Sequence, residues 1–318
     1  MSLLRIENLE KRFAVRRGWF ERSQEVHAVS GVSLEIYAGE TVGLVGESGC
    51  GKSTLGKLSL RLLEPTRGKI VFEGRDLTSF TKRELFEFRR HAQMIFQDPI
   101  GSLNGRKTVR QILCEGPRIH GLEGEKTDEQ LARELLERVG LDPGFSGRYP
   151  HEFSGGQRQR IGIARALSLK PRFIVADEPV SALDVSVQAQ VINLMVDLQK
   201  GMGLTFLFVS HDLRMVDYLS SRVVVMYLGR IMEVLPAQGL RTAAVHPYTQ
   251  ALLSAVPSID PTARKKRVIL SGDVPSPLAP PPGCVFHTRC PIAEDRCKTD
   301  VPALRSLSDR HETACHLV

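Results

Sequence analysis

The chain has 318 residues, 42% of them hydrophobic and 25% charged, with a formal net charge of +7. That length buries one large core or two, and no stretch approaches the roughly 20 apolar residues of a membrane-spanning helix. The opening MSLLRIENLEKRF carries charges where a signal peptide has its apolar region, so a chain kept in the cytosol is expected. The basic residues fall in short, scattered clusters such as Arg16–Arg17, Arg89–Arg90 and Lys265–Arg267, the distribution of a solvated surface, and charge alone decides nothing.

Taken in order, residues 3–13 and 26–38 alternate in the manner of strands, separated by a basic, aromatic-bearing segment, 14–25. Thr41–Val45 reads as a short buried strand running into a glycine-rich loop, and Lys52–Leu63 as a helix. Strand patterns recur at 69–73, 92–96, 172–177, 205–210 and 222–228. Several are continuous apolar runs, as in a mostly parallel sheet covered on both faces. Helical patterns at 186–199 and 212–219 lie between the later strands and give βαβ alternation.

Between about 100 and 170 the pattern is helical throughout, and Thr127–Gln130 has the form of a capping box opening a helix to Val139. After 235 the character changes. His246-Pro-Tyr-Thr starts an apolar helical stretch, with Pro247 in its first turn and Pro257 closing it, followed by a proline-rich run at 275–283. The expected organisation is an α/β core over 1–240, a helical subdomain inserted at about 100–170, and a small cysteine-bearing domain over 241–318.

Residues Gly46-Glu47-Ser48-Gly49-Cys50-Gly51-Lys52-Ser53, followed by Thr54, match the phosphate-loop pattern between a predicted strand and a predicted helix. The glycines let the backbone N–H groups surround a polyphosphate, the helix N-terminus adds positive dipole, Lys52 adds a full charge and Ser53 is a ligand for Mg²⁺. A chance match in a chain this long has a probability of roughly one per cent. Downstream, the apolar strand Phe173-Ile-Val-Ala ends in Asp177-Glu178. In a P-loop fold an Asp there holds Mg²⁺ and the next Glu orients and polarises the attacking water.

Phe153-Ser154-Gly155-Gly156-Gln157 precedes a helical pattern, with Ser154 and Gln157 spaced as a capping box and a glycine pair that allows close backbone approach to an anion. This segment resembles the LSGGQ signature of the ABC ATPase family, with Phe153 in place of Leu. Gln97 in Phe-Gln-Asp-Pro matches the family's Q-loop, Ser181-Ala-Leu-Asp184 its D-loop, and His211 its switch histidine; Phe13 stands where the family stacks an aromatic on adenine. The resemblance covers about residues 3–235. It implies a P-loop NTPase core of the ABC type, a mixed sheet with an antiparallel subdomain. It also implies a head-to-tail dimer in which the P-loop of one subunit faces the SGGQ helix of the other. In that arrangement Glu178 is the general base, His211 contacts the γ-phosphate, Lys52 and the loop bind phosphates, and Ser53, Gln97 and Asp177 serve Mg²⁺. A coiled-coil insertion or second cassette, common in ABC ATPases that act on DNA or ribosomes, is absent from the sequence, and no nucleic-acid partner is expected.

His246-Pro-Tyr-Thr-Gln-Ala-Leu-Leu and Pro-Pro-Gly-Cys284 look like the C-terminal region of oligopeptide, dipeptide and nickel importer ATPases, as do GESGCGKST and Arg148-Tyr-Pro-His-Glu-Phe. Segment 14–25 is similar to the longer N-terminal loop of the F-type ATPase subunits of that group. The resemblance implies a homologous ATPase partner in a heterodimer, two transmembrane permease subunits and an extracytoplasmic solute-binding protein, with this chain peripheral on the cytoplasmic face of a bacterial inner membrane. Cys284, Cys290, Cys297 and Cys315 crowd the tail. Four thiolates are the usual complement of a [4Fe–4S] cluster, which related importer ATPases are thought to hold here; zinc is the rival, with His287 and His316 as substitute ligands.

Overall fold

The computed structural model describes residues 2–15, 24–122, 124, 126–256, 268 and 270–318. Most of segment 14–25, the cluster Lys265–Arg267 and Pro257 as a helix stop lie outside the described residues. The chain packs as two units, one formed by Ser2–Ile36, Thr41–Thr78 and Ser210–Val318, the other by Tyr37–Glu40 and Ser79–Val209.

In the first unit, alternation in the strand Ser2–Val15 buries Leu4, Ile6 and Leu9. That strand pairs antiparallel with Arg67–Phe72, setting Leu4 opposite Phe72 and Ile6 opposite Ile70. Gln24–Tyr37 and Arg75–Asp76 complete a four-stranded sheet. Thr41–Val45, buried at every position, runs parallel to the equally buried Arg222–Tyr227. Arg230–Pro236 and then the hairpin His311–Thr313 with Arg305–Ser308 extend this sheet antiparallel. The helix after the glycine loop spans Lys52–Ser59, shorter than the periodicity predicts. Arg61 takes a left-handed conformation (φ 49°), and Leu62 N–H returns to the Lys57 carbonyl, a Schellman-type stop made without glycine.

Glu233 fastens the tail. Its side chain is fully buried, accepts from the backbone N–H groups of Val245 (2.8 Å) and His246 (3.2 Å), and meets His311 Nε2 at 3.0 Å. A buried carboxylate is tolerable only when its oxygens are occupied in this way. The helix Pro247–Ser254 follows, with Pro247 in the first turn and His246 as its N-cap, Nδ1 accepting from Tyr248 N–H at 3.1 Å.

The second unit holds the parallel strands Ala92–Ile95, Phe173–Asp177 and Thr205–Val209. Its helices are Lys82–His91, Pro99–Ser102, Val109–Ile119, Asp128–Arg138, Gly155–Leu167 and Val185–Met202. Stretch 100–170 is not continuously helical, because Gly140, Pro143, Gly147 and Pro150 break it into turns and short 3₁₀ segments. Thr127 and Gln130 do form the reciprocal capping box. Among the described residues no helix is long and apolar enough to cross a membrane.

Candidate functional site

In the first unit, the strand Thr41–Val45 leads into residues 46–53 and their helix. Gly46 (φ 151°), Gly49 (φ 77°) and Gly51 (φ 104°) hold conformations that a side chain resists. At two of them space is also denied. A Cβ on Gly46 would lie 2.2 Å from the Met226 carbonyl oxygen, and one on Gly51 would lie 2.1 Å from that of Ala28. Gly51 caps the helix with no side-chain hydrogen bond, so the first-turn amides are not taken up by a capping side chain. Lys52 is buried, and its Nζ donates to the carbonyls of Gly46 (2.8 Å) and Glu47 (3.0 Å), with Cys50 Sγ at 3.8 Å. Burial raises the Cys50 thiol pKa, so Cys50 fills space beneath the loop as a neutral group. Ser48 and Gly49 are exposed at the loop's tip, and Ser53 and Thr54 open the helix.

His211 lies in the same unit, exposed, just after the strand-end residue Ser210, whose N–H donates to the Leu44 carbonyl. Asp212 Oδ1 accepts from Arg214 N–H and caps the helix Leu213–Leu219. The Arg214 side-chain hydrogen bond chiefly lowers its pKa, against the effect of burial. Phe13 is half-buried on the first strand, with Lys11 Nζ 5.0 Å from its ring centre.

Sequence reasoning missed the partners of Glu47. Arg289 Nη1 and Nη2 donate to its two carboxylate oxygens at 2.7 and 3.2 Å, and Tyr248 Oη accepts from its backbone N–H at 2.9 Å. The need was legible, because a carboxylate inside an anion-binding loop calls for a cation. Nothing local pointed to a residue 242 positions away.

The second unit brings together Gln97, Asp177 and Glu178. Asp177 ends its strand buried. Glu178 turns into the left-handed region (φ 44°), unusual for a residue with a side chain, while its N–H donates to the Val209 carbonyl at 3.0 Å. Gln97 Nε2 donates to Glu178 Oε2 at 3.0 Å, fixing the carboxylate. Ser154 Oγ and Gln157 form the predicted capping box at the head of Gly155–Leu167. The glycine pair divides its work: a Cβ on Gly156 would meet Val187 Cγ1 at 2.3 Å, whereas one on exposed Gly155 would meet only Leu183 Cδ2 at 3.3 Å. Gly156 is thus required for helix packing, and Gly155 alone is left for approach from outside. Asp184 heads the helix Val185–Met202 without a side-chain cap bond, beside Val185, which is 81% exposed. Arg165, on the signature helix, lies 5.6 Å from the Phe96 ring centre and donates to the Ser102 carbonyl, tying that helix to the Gln97 segment.

The structure gives no support by itself to the ligand set expected of the four tail cysteines. Among the described residues no group of three or more His, Cys, Asp or Glu side chains is gathered to hold a metal. Burial first, then the neighbouring thiols of Cys297, Cys290 and Cys315, push Cys284 up to about 11. His287 Nδ1 lies 2.8 Å from the Cys284 carbonyl and His316 Nε2 lies 2.9 Å from that of Asp300, bonds that each use one of the two ring nitrogens.

A buried strand, a glycine loop in enforced left-handed turns, a lysine folded onto it and a strand ending in two acids define a P-loop nucleotide-binding protein. Comparison with known proteins narrows the class. The family model for "ABC transporter" matches residues 29–181, and that for "Oligopeptide/dipeptide transporter, C-terminal region" matches 232–297. The oligopeptide transport ATP-binding protein AppF of Bacillus subtilis is 52% identical, over 99% of this chain and 97% of its own. A putative peptide import ATP-binding protein of Brucella ovis is 55% identical, over 98% and 97%. The dimeric ATP-binding cassette MJ0796, solved in a post-hydrolysis state with ADP and Pi, superposes with a TM-score of 0.65 at 28% identity, covering 74% of this chain and 98% of that one. The chain belongs to the ATP-binding subunits of ABC transporters, in the branch that carries the oligopeptide/dipeptide C-terminal region.

Proposed function

We infer that this chain hydrolyses ATP to drive peptide import across a bacterial cytoplasmic membrane. The match to relatives named for oligopeptide transport and peptide import, over nearly the whole chain, carries the transport reading. The Gln97–Glu178 hydrogen bond is the single observation that carries the hydrolytic one. A carboxylate at a strand end, oriented by a hydrogen bond from a neighbouring side-chain amide, suits a water-activating base. Ser53, Asp177 and Gln97 offer the hard oxygen donors that suit Mg²⁺, and the ion, when bound, neutralises phosphate charge. Lys52 and those amides of 46–53 that the loop does not bond internally bind and orient the polyphosphate, Phe13 stacks the base, and His211 reaches the γ-phosphate. Ser154, Gly155 and Asp184 act on the nucleotide of a second subunit. Their exposure, together with that of Val185, supports a face completed by a partner, and the dimeric MJ0796 cassette is consistent with it. The partners that follow are a homologous ATPase, two permease subunits and a solute-binding protein, with this chain peripheral to the membrane. We assign 1–240 to the nucleotide-binding domain, with the helical subdomain at about 100–170, and 241–318 to the C-terminal domain; the order of the two family matches, 29–181 and then 232–297, is in keeping with two such regions.

Glu178→Gln in the assembled transporter tests the base. Turnover should fall about 10²–10⁴-fold while Mg-ATP binding persists. Turnover at the parent rate would remove Glu178 from its role. A cluster or zinc ion on the four cysteines is a separate proposal, supported by their crowding and mutual influence on pKa and tested by metal analysis of anaerobically purified protein. It contributes no step to hydrolysis.

A further inference from the structure

Glu47 is the second residue of a loop whose glycines, Lys52 and helix N-terminus favour an anion. Its carboxylate remains 27% exposed, whereas the Arg289 side chain is 8% exposed and commits both terminal nitrogens to it. Arg289 is itself held on Tyr227, with its guanidinium carbon 5.9 Å from that ring's centre and Nη1 3.5 Å from Tyr227 Oη. Tyr227 ends the strand that pairs with the strand feeding the loop. The second handle, Tyr248, is fully buried and packs with Tyr227 (ring centres 4.8 Å) and Phe286 (5.2 Å), while its hydroxyl takes the Glu47 N–H. One loop residue is therefore gripped at its side chain and at its backbone by two residues of the C-terminal region, all within one compact unit.

We propose that Arg289 and Tyr248 are positioning residues of the phosphate loop, neutralising and fixing Glu47 so that the C-terminal region sets the affinity for Mg-ATP. The proposal rests on residues 46–53 being the ATP phosphate site. Without Arg289, a bare carboxylate stands beside the incoming polyphosphate, and like charges at loop distances weaken binding markedly in a medium less polarisable than water. Without the Tyr248 hydroxyl, the Glu47 amide loses its acceptor and the loop loses one fixed point. Neither residue is asked to touch the nucleotide. Both act on ground-state and transition-state binding alike, so KM should move and kcat should not.

Calorimetric titration of the full chain with Mg-ATP, paired with steady-state ATPase of the assembled transporter, tests this. Arg289→Gln should weaken binding about tenfold and raise KM similarly, with kcat within about twofold. Adding Glu47→Gln to it should restore affinity to within about threefold of the parent, a rescue that a purely structural role for Arg289 does not give. Arg289→Lys, which keeps charge but loses the fork, and Tyr248→Phe, which keeps the ring, should each lose about threefold. They carry the test if Arg289→Gln does not fold, and parent-like affinity in both would overturn it. A folded Arg289→Gln that binds like the parent, or a double variant showing no rescue, overturns the proposal alone. A parent that binds no Mg-ATP overturns the phosphate-site reading and this proposal with it.

Discussion

Two helix N-termini with glycines, both proposed above to meet phosphate, are prepared differently in this chain. The helix Lys52–Ser59 has Gly51 at its cap, no capping side chain, a buried lysine folded onto its loop and a clamp on Glu47. The helix Gly155–Leu167 is capped by its own Ser154–Gln157 box and leaves Ser154 and Gly155 in solvent. The phosphate loop is clamped at Glu47 and leaves the first-turn amides of its helix without a capping side chain. The signature helix caps its own N-terminus and offers one exposed glycine corner. A clamped loop on one side and a self-capped helix end on the other suit the proposed division, in which one surface binds the nucleotide and the other meets it on closure.

The comparison is easiest to break at Gly51. Alanine there meets the Ala28 carbonyl at 2.1 Å and resists φ 104°, so Gly51→Ala should cost about 3–5 kcal/mol in thermal unfolding and abolish Mg-ATP binding. Acid probes the loop's support next. Burial holds His246 down to about 4, against its ordinary 6.5, so the unfolded chain takes up a proton that the native ring refuses. This contribution to stability is complete above pH 6.5 and is lost as pH falls from 6.5 towards 4, by roughly 3 kcal/mol. Denaturant melts across that window should be steeper in pH for the parent than for His246→Asn. On the signature side the effects are smaller and separable. Gly156→Ala should lose about 2 kcal/mol against the stiff Val187 side chain. Gly155→Ala should be neutral or slightly stabilising in a melt, since alanine favours the helix, yet impair ATP-dependent dimerisation seen by light scattering. If both glycine variants behave alike, the division of labour between them is wrong.

Contiguous features were legible without a structure. The residues of 46–53, Asp177-Glu178 and Ser154–Gln157 are local words whose chemistry is set by adjacent residue types, and the buried strands announced themselves as apolar runs. Other features were hidden for identifiable reasons. The helix Lys82–His91 is short, strongly polar and buries only Phe88, and its clearest start signal was the Thr81–Glu84 capping box. The early stop after Ser59 depends on Arg61 adopting a conformation that residue type does not advertise. The hairpin Arg305–Ser308 and His311–Thr313 joins the sheet through pairings with a strand about 80 residues earlier, and Arg289 reaches Glu47 across most of the chain. Long-range partners leave no periodic trace. The cysteines show the converse: their spacing named four thiols but not whether they converge.

Glu233 gives the tail a property that its small size conceals. One carboxylate with zero exposure is shared by residues 245, 246 and 311, so proteolytic trimming ahead of His311 would remove one of its three polar contacts while the charge stayed buried. The last few residues therefore behave as a rivet rather than a ragged end, and fragments cut there should be recovered as insoluble or rapidly degraded protein rather than as shortened, working subunits.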